Sequence, residues 1–271
     1  SAATGAFINT FAQGDSTGKA EILGNATVTA DLFATIAGDL LINGLLTVTE
    51  SADVTVIGDA TINDTMTVDR HLTLTVGEAG TSTGGLGNLI LNGGLEVGLS
   101  ATVLVLANIT IIGGAVVGTR ATEEPAETND FTLTSSTGRL DVLIDTTDPA
   151  NPVPGSLEAV AGNLSVTVAD NQSGQGSFIE GSVTAHVDVV LDVNDDLDIL
   201  GSVIATSGEV DIDVSAGDLT LRGDLTAATG AFLDVIGNIL IEGDASVFAT
   251  LDAYASGNIT INGDLFVADV A

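Results

Sequence analysis

The chain has 271 residues, of which 37 are acidic and 5 basic, for a formal net charge of −32 at pH 7. A surface of that sign repels phosphate backbones and anionic headgroups, which argues against nucleic-acid and lipid-surface partners and favours cations. Hydrophobic residues make up 45% but aromatics only 3%, so the core must be thin layers of Leu, Ile, Val and Ala, and with no cysteine it has no disulfide to lean on.

From the first residues the chain keeps a beat. Gly18-Lys-Ala-Glu-Ile-Leu-Gly24-Asn-Ala is followed 20 residues later by Gly38-Asp-Leu-Leu-Ile-Asn-Gly44-Leu-Leu. A period near 20 marks an architecture of stacked coils, each too small to bury its apolar face alone. With the second glycine as marker, rungs are expected at Gly24, Gly44, Gly58, Gly77, Gly93 and Gly113. Val97 to Thr119 carries no charge and is long enough for a membrane helix. Its Asn108 and Gly113-Gly114 keep the beat, so solenoid rungs are the expectation and membrane insertion is not.

Residues 119–161 break the rhythm. All four prolines, Pro125, Pro149, Pro152 and Pro154, fall there. Proline removes ladder donors, so this stretch is expected to loop from the stack or form one irregular coil. It divides one continuous domain into N-terminal coils over 1–118, an acidic insertion over 119–161 and C-terminal coils over 162–271.

The beat resumes at Gly181, Gly201, Gly223, Gly243 and Gly263. Gly217-Asp-Leu-Thr-Leu-Arg-Gly223-Asp-Leu returns as Gly237-Asn-Ile-Leu-Ile-Glu-Gly243-Asp-Ala and as Gly257-Asn-Ile-Thr-Ile-Asn-Gly263-Asp-Leu. Within the first of these, Leu219, Leu221 and Leu225 alternate with Thr220, Arg222 and Asp224, the period of a strand. The fold class is therefore all-β, a parallel β-helix (β-solenoid) of about 13 coils with Gly-Asp, Gly-Asn and Asn-Gly corners.

The last phrase resembles the repeats of β-solenoid surface proteins, such as filamentous-haemagglutinin-type adhesins and autotransporter passengers. The resemblance implies a secreted or cell-surface structural protein and carries over no catalytic residue. Independently, His71 and His186 are the only histidines and stand in no metal or triad motif. An enzyme is not expected; a polysaccharide-active β-helix enzyme is the remote alternative.

Two acidic groupings are candidate Ca²⁺ ligands. Asp224, Asp244 and Asp264 occupy equivalent repeat positions and would stack one coil apart. Like charges at about 4.8 Å repel by roughly 1 kcal/mol in water, which oxygen-seeking Ca²⁺ would relieve. The other reading is that each aspartate satisfies its own corner. Asp192, Asn194, Asp196 and Asp198 imitate the start of a calcium loop, with Leu197 where its turn glycine belongs. Sequons at Asn25, Asn63, Asn108, Asn163, Asn171 and Asn258 are candidate glycan sites on an extracellular protein.

The two ends share a phrase. Ala2-Ala3-Thr4-Gly5-Ala6-Phe7 is identical to Ala227-Ala228-Thr229-Gly230-Ala231-Phe232. Phe7 thus stands in the phase that would follow the last residue. The expected function is an extracellular subunit of a filament, sheath or surface layer, polymerised head to tail with itself. Phe7 and Ile8 are the expected anchors, with Leu265 and Val267 as the receiving edge. A cell-surface adhesin rod is the rival.

Overall fold

Alternation with short strands and Gly-Asx breaks yields three parallel sheets in a computed structural model that describes residues 6–10, 18–77, 87–120, 129–146, 152–169 and 175–268. Each sheet has 11 strands, and consecutive members of a sheet are always three elements apart in sequence, so the chain winds once around per coil. Every coil places one strand in each sheet: a longer strand in sheet 1, then short strands in sheets 2 and 3. Coil nine, for example, consists of Val210–Val214, Leu219–Leu221 and Leu225–Ala227. The fold is a parallel β-solenoid. No helix among the described residues is long and apolar enough to cross a membrane, and Ala101–Val105, Ile109–Ile112 and Ala115–Val117 form coil five.

Register converts the alternation into columns. Leu219 aligns with Leu197 below and Ile239 above, and all three are buried. Such columns of Leu, Ile, Val and Ala fill the interior along the rod, with Met66 and Phe131 among the largest side chains enclosed. Because the inner space is a stack of thin layers, β-branched and aliphatic side chains fill it without bulky rings, as the aromatic-poor composition requires.

Two expectations need correction. The described residues form 11 coils where about 13 were expected. Gly58 and Gly77 do not belong with Gly24 and Gly44. Gly24 and Gly44 lie between the sheet 2 and sheet 3 strands, whereas Gly58 and Gly77 follow the sheet 1 strands Ala52–Val56 and Leu72–Val76. Asp64 takes the marker place in coil three, between Ala60–Ile62 and Met66–Val68. Because the chain carries glycines at two corners, a short step between unlike corners passes for a short rung.

The stretch 119–161 stays in the stack where it is described. Phe131–Ser135, Leu140–Leu143 and Leu157–Ala159 make coil six, each paired to the coils on either side. Between its second and third strands, Asp145 and Val153 exchange antiparallel backbone hydrogen bonds of 2.9 and 3.0 Å, closing the neck of an excursion. Pro125 and Pro149 lie outside the described residues.

Candidate functional site: the corner ladders and the two end coils

Along each of the three corner columns, polar side chains cap the coil above them. Between sheets 2 and 3, the Asp244 amide donates to Asp224 Oδ1 (2.9 Å), and the Asp264 amide donates to Asp244 Oδ1 (2.7 Å). Serines begin the same column: the Ser202 amide donates to Ser182 Oγ and the Asp224 amide to Ser202 Oγ. Between sheets 1 and 2 the run is Asp196, Asp218, Asn238 and Asn258, each amide donating to the Oδ1 below at 2.7 to 2.9 Å. A third ladder joins Asp130, Asn163, Asp188 and Glu209 between sheets 3 and 1. An amide at a bend has no strand partner, and these oxygens replace the missing acceptor.

The ladder also explains the glycine that precedes each aspartate. A Cβ on Gly243 would stand 2.4 Å from Asp224 Oδ1 and 2.5 Å from the carbonyl oxygen of Gly223. At Gly263 it would meet the Gly243 oxygen at 2.3 Å and Asp244 Oδ1 at 2.5 Å. Glycine is required there for room, since the carboxylate of one coil occupies the place of a side chain in the next.

The proposed calcium ligands are distributed by this geometry. Asp224, Asp244 and Asp264 do stack, with one oxygen of Asp224 and of Asp244 committed to a backbone amide. Asp192 lies on the outer face of sheet 1, Asn194 and Asp196 at the corner, and Asp198 on sheet 2. Asp198 Oδ2 pairs with Arg222 at 3.3 Å, while its Oδ1 is shielded and receives no hydrogen bond. Among the described residues no group of three or more His, Cys, Asp or Glu side chains converges as a metal-binding set.

One acidic column was missed in the sequence. Asp192, Asp213 and Asp234 align on consecutive sheet 1 strands, with Asp211 beside them. Burial by neighbouring groups raises the Asp213 carboxyl above its ordinary value of 3.8, and the charges of Asp192, Asp234 and Asp211 push it further the same way. The signal was present as Leu191-Asp192-Val193, Ile212-Asp213-Val214 and Leu233-Asp234-Val235, spaced by 21 residues rather than 20.

Asn63, Asn108 and Asn163 spend their side-chain N–H groups within the columns, on Asn43, Asn88 and Asp130. Asn25 and Asn258 are exposed on the first and last coils. Asn171 lies outside the described residues. His71 Nδ1 contacts Ser100 Oγ at 2.8 Å and His186 Nδ1 contacts Thr206 Oγ1 at 3.2 Å, so each histidine sits in a polar corner environment.

The end coils break the burial rule. Leu265 continues the column of Leu225 and Ala245, both at 0% exposure, yet is itself 54% exposed. Val267 continues Ala227 and Val247 and is 43% exposed. Ile259 and Phe266 are exposed on the same coil, and the rings of Phe248 and Phe266 meet edge to face with centroids 5.8 Å apart. At the other end a cavity of about 250 Å³ opens among apolar residues, including Ala20, Ile22, Ala26, Leu32 and Met66. Ala6–Thr10, Ala20–Ile22 and Ala26–Val28 are the first strands of the three sheets, and Thr250–Ala255, Ile259–Ile261 and Leu265–Val267 the last. Phe7 aligns with the exposed Phe33, and successive registers carry that column to Phe232. Ile8 aligns with Ala34, a buried column.

Compared with protein-family models, curated proteins and solved structures, the chain matches none. The class its own geometry defines is a parallel β-solenoid with Asx-capped corners.

Proposed function

We propose that the protein is a structural subunit of an extracellular filament, sheath or surface layer, in which solenoid ends stack head to tail. The observation that carries this reading is the exposure of Leu265 and Val267 in columns that are otherwise closed. An uncovered end coil offers apolar side chains together with a full edge of unpaired N–H and C=O groups, and proteins ordinarily blunt such edges. A second copy satisfies both, and because the two contacting surfaces differ the contact propagates as an open polymer. The acidic surface suits an exterior setting where cations are plentiful. Electron microscopy of the purified 271-residue chain should show filaments one solenoid wide. Deleting residues 1–10 should abolish them while leaving a folded monomer; filaments that persist without that strand would sink the reading.

Ca²⁺ is the counter-ion we propose for the aspartate columns at Asp224, Asp244 and Asp264 and around Asp192, where stacked carboxylates repel. Excess EDTA at low sodium should lower the melting temperature or dissolve assemblies, and an unchanged melting curve would leave hydration as the role of these charges. An adhesin rod is the second reading, favoured by the exposed rings of Phe232, Phe248, Tyr254 and Phe266 on the flank of the last coils. It requires a monomer that binds a receptor and forms no polymer.

A further inference from the structure

The end faces carry more than apolar surface: they carry a register. Each corner ladder has an acceptor at its C-terminal end and a donor position at its N-terminal end. In every step of the sheet 1–2 ladder the donor is the residue just before the sheet 2 strand, as Asn258 precedes Ile259–Ile261 and donates to Asn238 Oδ1. Lys19 holds that place in the first coil, directly before Ala20–Ile22. In the sheet 2–3 ladder the donor precedes the sheet 3 strand, as Asp264 precedes Leu265–Val267 and donates to Asp244 Oδ1. Asn25 holds that place, directly before Ala26–Val28.

We propose that copies of this chain join in a single rotational register. Thr250–Ala255 of one copy pairs with Ala6–Thr10 of the next, Ile259–Ile261 with Ala20–Ile22, and Leu265–Val267 with Ala26–Val28. Asn258 Oδ1 then accepts the amide of Lys19 and Asp264 Oδ1 the amide of Asn25, so each ladder gains one step across the joint. This rests on the head-to-tail reading above and adds its geometry.

Three features select this register over the two made by a third of a turn. First, strand length: the sheet 1 strands at the two ends have 6 and 5 residues, and those of sheets 2 and 3 have 3. Only the unrotated stack pairs long with long, and either rotation strands part of each long edge without a partner. Second, the ladders: only the unrotated stack serves both acceptors, since each rotation sets one of Asn258 and Asp264 against the other corner's amide and carries the second to the corner between sheets 3 and 1. Third, charge: Glu21 comes opposite the neutral Thr260, whereas the rotation that sets sheet 2 on sheet 1 brings it to the strand that carries Asp252.

The absence of native cysteine makes the register readable by cross-linking. Stacked strands lie at about 4.8 Å, within the Cα separation a disulfide spans. Thr260 and Glu21 are both exposed and face each other across the proposed joint. The double variant Thr260→Cys/Glu21→Cys, assembled and then mildly oxidised, should give a ladder of covalent multimers on a non-reducing gel. The rotated control, Thr260→Cys/Thr27→Cys, should stay at the monomer position. Filaments by microscopy combined with multimers only in the rotated control would overturn the register while keeping the head-to-tail joint. Dimers from Thr260→Cys alone would show tail-to-tail contact and overturn it also. A parent chain that remains monomeric in sizing columns and by microscopy at high concentration would remove the head-to-tail reading and the register with it.

Discussion

Coil six and coils nine to eleven solve the same problem with different corners. In the later coils the ladder partners are 20 to 22 residues apart and the corners are Gly-Asp or Gly-Asn. In coil six the spacing stretches to 31 residues from the Arg139 amide to Asn108 Oδ1 and 33 from the Asn163 amide to Asp130 Oδ1, and Ser135 Oγ stands in at a corner by donating to the Ala107 carbonyl and accepting from the Gly138 amide. The inward columns run through both regions, with Ser135 and Ser177 as buried polar members in and beside coil six. The difference teaches that the stack keeps its inward columns in register, whereas corners admit long insertions provided something caps the bend.

The largest effects should therefore be equal in the two regions. Leu221 in coil nine and Leu133 in coil six are each about fully buried. Truncating either to alanine should cost roughly 2–5 kcal/mol in chemical denaturation, because the rigid strands above and below cannot collapse into the space. A much smaller loss for Leu133→Ala would mean coil six is peripheral and would break the comparison.

Glycine substitutions come next. Gly243→Ala presses a methyl onto Asp224 Oδ1 and the Gly223 carbonyl. Gly155→Ala in the coil six corner would bring its methyl to 2.4 Å from the carbonyl carbon of Leu143. Both should lose about 1–3 kcal/mol by overpacking. Asp244→Ala is milder: it leaves the Asp264 amide without its acceptor and should cost about 0.5–1.5 kcal/mol, with Asp244→Asn retaining most of the loss-free behaviour because Oδ1 persists. If Asp244→Asn proved as damaging as alanine, charge rather than capping would be the role of that column.

The fold was legible because alternation and the 20-residue phrase both survive in the linear sequence. Which corner a glycine belonged to was not, since Gly58 and Gly44 are the same letter in different geometric places. The stacking of Asp224, Asp244 and Asp264 was readable from their even spacing, but the hydrogen bond from each amide to the carboxylate below exists only in three dimensions. Asp192, Asn194, Asp196 and Asp198 looked like one loop because adjacency along a chain suggests adjacency in space. A corner runs through them, so two faces and a bend divide the set. The Asp192, Asp213 and Asp234 column was hidden for the opposite reason, being spread over 42 residues in steps of 21.

That column supplies the smallest expected effect and its sharpest test. Coil six presents Thr132 and Thr134 outward on sheet 1, where coil nine presents Asp211 and Asp213. Desolvation and three neighbouring carboxylates raise the Asp213 pKa above the ordinary 3.8. Asp141 is also raised, by burial, although Arg139 sits 2.8 Å away and works against the shift. A carboxyl with a raised native pKa is protonated more readily folded than unfolded. Its stabilising contribution is therefore full below the ordinary value and is lost as pH climbs through the native one. At neutral pH the Asp213 charge thus works against the fold. Asp213→Asn should raise the melting temperature at pH 7, and the gain over the parent should shrink as pH falls towards 4. Salt should shrink it too, since at 1 M the screening length is about 3 Å, shorter than the distance between stacked strands. A gain from Asp213→Asn that stayed constant across pH and salt would show that the asparagine stabilises by hydrogen bonding, and that stacked charge is no burden on the later coils.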